Sequence, residues 1–108
     1  MSHDESSRKI HALSASEIAT EQATLSDAWE KSGVEIKRVV TTKTFSQALK
    51  LFPAFASIAD ELGHHPDISW TYSHVAIHFT THDLGGLSNL DFEAARRFDV
   101  AISEFFDG

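Results

Sequence analysis

Apolar positions along the chain change their period several times, and each change marks an element. The strongest pattern is Phe45, Ala48, Leu49, Phe52, Phe55, Ala56 and Ala59, spaced in threes and fours as on one face of a helix. Thr44 precedes it as a cap with Gln47 in the return position, and Gly63 follows Leu62 where a left-handed residue stops helices. Pro53 lies inside the stripe; it cannot bond to the Leu49 carbonyl, so one kinked helix is expected. A helix is also expected from Ala15 to about Leu25, with Ser14 as cap, Glu17 reaching back to it, and a weak stripe of Ile18, Ala19 and Leu25. The last helix is expected over Phe92–Phe106, with Ala94, Phe98, Ala101 and Phe105 along one face and Ala95 and Ile102 beside them. Ser88-Asn89-Leu90-Asp91 before it has the form of a cap, and an acidic Asp91 suits a helix N-terminus.

Alternation marks the strands. Val34–Thr42 is rich in β-branched residues and follows a turn expected at Lys31-Ser32-Gly33. Ile36, Arg38 and Val40 share one face; Glu35, Lys37 and Val39 share the other. Ile68–Tyr72 reads as a strand, and Tyr72–Thr81 as a clearer one. In the latter Val75, Ile77 and Phe79 oppose Tyr72, His74, Ala76, His78 and Thr80. His82 continues the second register unless a bend re-aims it. The order is α-β-α-β-β-α. The connection between the last two strands is too short for a parallel crossover, so they pair antiparallel. Helices covering one face of that sheet make an α+β sandwich. Residues 1–11 are polar and aperiodic and are expected to form a disordered tail, leaving 12–108 as a single domain.

Charge and composition remove several function classes. A formal charge of −7 argues against direct nucleic-acid binding, which depends on Lys and Arg neutralising phosphates. No apolar run reaches the length of a membrane span, and the polar N-terminus is not followed by the apolar stretch of a signal peptide. With no cysteine, neither disulfides nor thiolate metal sites can form, which suits a cytoplasmic protein.

Histidine changes the picture most. There are 7 in 108 residues, and most fall between positions 64 and 82. His64 and His65 adjoin the end of the long helix, and His82 the end of a strand, in the loops where chemistry is commonly placed. Imidazoles exchange protons near neutral pH, so two or three around a pocket suit a reaction needing both acid and base. A zinc site made from three histidines and a carboxylate competes with this, but adjacent side chains on extended backbone diverge, and no metal is expected. A solvated histidine pair is the remaining alternative from composition alone. His74 and His78 lie at period two on one strand face and read as surface or interface residues; His3 and His11 fall in the tail. Trp29 and Trp70 read as core, although either could wall a pocket.

The run Glu61-Leu62-Gly63-His64-His65-Pro66, then Tyr72-Ser73-His74-Val75, then Thr81-His82-Asp83-Leu84-Gly85-Gly86-Leu87-Ser88 and Asp91, resembles the pterin-4a-carbinolamine dehydratases. The resemblance covers nearly the whole chain. It implies a four-stranded antiparallel sheet with helices on one face, and loss of water from 4a-hydroxytetrahydrobiopterin in the recycling of pterin for aromatic amino acid hydroxylases. It implies no cofactor, and a homodimer or homotetramer. By position, His64, His65 and His82 match the catalytic histidines, and Gly63 and Thr80, Thr81 and Asp83 match substrate-contacting segments; Asp60 is expected with them at the substrate site. Three departures stand out. Gly63 replaces an acidic residue common before the double histidine, with Asp60 one turn upstream as the substitute carboxylate for orienting His64. Val40-Thr41-Thr42 stands where aromatics are common, and Pro53 interrupts the long helix and bears on any oligomer contact it makes. Asp91 reads as a cap rather than a catalyst. The fold also serves non-catalytic interaction modules, either coactivators or assembly factors; retention of all three histidines favours the enzyme.

Overall fold

A computed structural model of the chain describes residues 10–107. Helix α1 spans Ala15–Gln22, strands β1 and β2 span Glu30–Ser32 and Glu35–Thr41, and helices α2 and α3 span Phe45–Leu49 and Phe52–Leu62. Strands β3 and β4 (Asp67–Thr71 and His74–Phe79), a 3₁₀ turn at His82–Leu84 and helix α4 (Asn89–Asp107) complete the order. The four strands form one antiparallel sheet in the order β1-β2-β4-β3. Helices lie on one face, so the α+β architecture and its element order are as expected. The fourth strand is β1, which occupies part of the expected turn. The reversal falls one residue later, at Gly33-Val34, where Gly33 takes φ of 60° as the first residue of a two-residue hairpin.

Local signals formed the helix ends. At α1 the Ser14 hydroxyl accepts from the Glu17 N–H (3.2 Å), and the Glu17 carboxylate accepts from the Ser14 N–H (2.8 Å). The Ser14 backbone and then its hydroxyl hold the Glu17 carboxyl below its usual range. The expected long helix is two helices, not one kinked helix. Pro53 sits in the first turn of α3, where a missing N–H costs nothing and the ring's fixed φ suits a helix start. Lys50 and Leu51 close α2 with tighter bonds to Gln47 and Ala48. Helix α4 begins at Asn89, earlier than the apolar stripe suggested, because Ser88 and Asp91 cap it there. Strand β4 ends at Phe79, and His82 leaves the strand register for the 3₁₀ turn.

The core lies between the helices and one face of the sheet. Ile36, Val40, Val75, Ile77 and Phe79 from the sheet meet Phe55, Ala59 and Leu62 of α3 and Phe92, Phe98 and Ile102 of α4. Phe98 stacks on Phe55 at 4.3 Å and meets Phe79 edge-on at 5.1 Å. Trp29 is buried and donates its indole N–H to Asp99, which also pairs with Arg38 at 2.6 Å. Trp70 sits at the core margin, stacked on Phe45 and edge-on to Phe52. The opposite sheet face is uncovered. There His74 contacts Thr41, and His78 contacts Glu35 at 3.0 Å.

Of the expected tail, residues 1–9, His3 included, lie outside the described residues; His11 exchanges two hydrogen bonds with Asn89. Among the described residues no helix is long and apolar enough to cross a membrane. Truncating the central ring should show how far the core depends on it. Phe98→Ala should cost about 3–5 kcal/mol in urea unfolding. Val100→Ala, at a position 58% exposed on the same helix, should stay within about 0.5 kcal/mol.

Candidate active site

Helix α3 ends in a way that aims the double histidine. Gly63 adopts φ of 64°, and the His64 N–H returns to the Ala59 carbonyl at 3.1 Å, the reverse turn of a Schellman stop. This turns His64 inward over the core, where its ring lies nearly parallel to Phe79 at 6.0 Å. The ring is 11% exposed, and its Nε2 lies 2.6 Å from Asp91 Oδ1.

Asp91 is fully buried. Its second oxygen accepts the Thr81 hydroxyl and the Ser88 N–H, each at 2.8 Å. Since Thr81 gives its single hydroxyl proton to Asp91, the Ser88 hydroxyl donates to Thr81 at 2.7 Å and accepts the Leu90 N–H. One carboxylate therefore caps α4, anchors the end of β4 and holds His64. The expected cap role is present, and the support of His64 is added to it. Asp60, expected as the carboxylate for His64, instead meets His65 Nε2 at 2.8 Å, because the inward turn at Gly63 sends the two imidazoles apart. The S-x-x-D pattern at Ser88–Asp91 was the signal available in the sequence; its long-range partner was not.

The remaining predicted residues divide. His82 is largely exposed, and its Nε2 lies 3.9 Å from Asp67, the residue after His65-Pro66. Thr81 joins His64 on Asp91, so the 64–67 and 81–82 loops meet at two carboxylates. Thr80 donates its hydroxyl to the Val34 carbonyl and ties the β1–β2 hairpin instead. Asp83 is exposed in the 3₁₀ turn. An apolar cleft of about 240 Å³ runs between α3 and β3, bordered by Phe52, Ala56, Ala59, Pro66, Ile68 and His65, while His64 and His82 do not border it. Among the described residues no three His, Asp or Glu side chains are grouped as metal ligands.

An antiparallel sheet backed by helices, with each loop histidine set against a different carboxylate, defines an α+β protein with the groups of an acid–base site. Residues 11–101 match the family model for pterin 4 alpha carbinolamine dehydratase, and the chain belongs to that family. A relative from Synechococcus sp. (strain WH7803) is 41% identical over 84 residues, covering 75% of this chain and 90% of its own. Another from Nocardia farcinica is 40% identical over 87 residues, covering 81% and 90%. Both carry the name "Putative pterin-4-alpha-carbinolamine dehydratase". The crystal structure of a transcriptional coactivator/pterin dehydratase from Brucella melitensis superposes with a TM-score of 0.79 at 30% identity, covering 85% of this chain and 99% of that one.

The Asp91 network sets a stability expectation. Thr81→Val keeps the shape but removes one donor from a buried carboxylate, and should lower unfolding free energy by about 1–3 kcal/mol in denaturant titration.

Proposed function

We propose that the protein is a hydro-lyase that dehydrates a 4a-hydroxytetrahydropterin to quinonoid dihydropterin. The observation that carries this reading is that His64, His65 and His82, on two adjoining loops, pair with Asp91, Asp60 and Asp67. The reaction breaks the C4a–O bond. A proton delivered to the departing hydroxyl makes it water, and a proton leaves N5 as the C4a–N5 double bond forms. No electrons are gained or lost overall, so histidines suffice and the reading includes no metal or cofactor. Each assisted proton transfer is worth about 10²–10⁴ in rate. Gly63 and Asp83 stand where the substrate would touch the loops. Thr80 and Thr81, whose hydroxyls are engaged elsewhere, offer backbone only. In this reading the enzyme works in the cytoplasm, in tetrahydrobiopterin recycling.

A homo-oligomer belongs to the same proposal. Phe45, stacked on the Trp70 ring, and Leu49 on the same helix are each about half exposed, apolar surface of the kind that contacts between copies cover. That surface also suits the rival reading, a module that binds another protein.

Two measurements separate these. Supplied with 4a-hydroxytetrahydropterin, the wild type should accelerate dehydration, and His64→Ala or His82→Ala should lose about 10²–10⁴ of that rate while remaining folded. If the wild type and His64→Ala both match the uncatalysed rate, the interaction module is the better account. Light scattering should show a multiple of the chain mass for the wild type and a single-chain mass for Leu49→Lys.

A further inference from the structure

His64 is held at one nitrogen and open at the other. Its Nε2 contacts Asp91 Oδ1, and the other Asp91 oxygen already accepts from Thr81 and Ser88. A carboxylate ringed by donors is an acceptor, so the proton in the His64–Asp91 contact sits on Nε2. Nδ1 has no hydrogen-bond partner among the described residues. There the sole buried side-chain nitrogen or oxygen without a partner is Arg38 Nε, so His64 Nδ1 reaches solvent despite the ring's burial. His65 repeats the pattern with Nε2 on Asp60, and Nε2 is also the His82 atom facing Asp67.

We infer that Nδ1 is the working nitrogen of His64, the atom that takes and returns protons, and that Asp91 is the positioning residue that makes it so by keeping a proton on Nε2. This rests on the acid–base reading above for its chemistry, while the placement of the proton stands on geometry alone. A ring anchored through Nε2 cannot flip, which would put a carbon in place of each nitrogen, without unpairing a buried carboxylate. When Nδ1 takes up a proton, the resulting imidazolium faces that carboxylate directly. Proton uptake then requires no movement of the ring.

The test uses ¹⁵N-labelled full-length protein. Two-bond ¹H–¹⁵N spectra of the imidazoles are recorded as pH is raised until the His64 ring is neutral, with the resonance assigned by its loss in His64→Gln. The expected wild-type pattern has Nε2 protonated and Nδ1 bare. Asp91→Asn keeps an oxygen for Thr81 and Ser88 but presents an N–H₂ to His64, so the pattern should reverse. The dehydration kcat should then fall by about 10-fold or more with little change in KM. A neutral wild-type ring protonated at Nδ1, or a folded Asp91→Asn that keeps both the wild-type pattern and kcat, overturns the inference. If Asp91→Asn does not fold, the wild-type spectrum decides it. An Nε2-protonated ring in a protein without dehydratase turnover overturns the pterin reaction and leaves the proton placement standing.

Discussion

A buried negative charge is the constraint on which the rest of this structure depends. Asp91 is removed from solvent, and leaving such a charge unpaired costs several kcal/mol. Its donors come from three separate segments: His64 after α3, Thr81 after β4 and Ser88 before α4. Hydrogen bonds to a charged group contribute about 1.5–3 kcal/mol each. The loops bearing the histidines therefore cannot move apart without stranding the carboxylate. The N-terminus of α4 adds its own preference for negative charge. Cap, loop clamp and imidazole support are one group.

Phe79 is the apolar counterpart of Asp91. Trp29, Phe98 and His64 all lie against its ring. The ring faces and the carboxylate together fix both the plane and the edge of His64. The other two imidazoles stand in solvent, with His65 61% and His82 80% exposed at the side chain. One imidazole is therefore buried and held on two sides, while two are exposed and each meets a carboxylate at a single nitrogen.

Much of the fold was legible because its signals are short in range. The Ser14–Glu17 box, the Gly63 stop and the alternation of Val75, Ile77 and Phe79 each involve residues a few positions apart, and each formed as the pattern implied. The break before Pro53 is not legible in the same way, because a stripe of apolar residues does not distinguish one bent helix from two short ones in line. β1 was hidden for another reason. Its three residues are all exposed, so it carries no hydrophobic alternation, and only pairing with β2 makes it a strand.

The candidate site divides along the same line. Sequence alone determined which loops hold the imidazoles, since helix stop and strand end are written locally around Gly63 and Thr81. Tertiary structure decided which carboxylate serves which ring. Asp60 is near His64 in the chain yet pairs with His65, while Asp91, 27 residues from His64, becomes its partner. That choice depends on α4 packing its first turn beneath the ends of α3 and β4. Burial of Leu90 and Phe92 seats that turn and carries Asp91 out of water, leaving the carboxylate no acceptable partner but the donors it meets there.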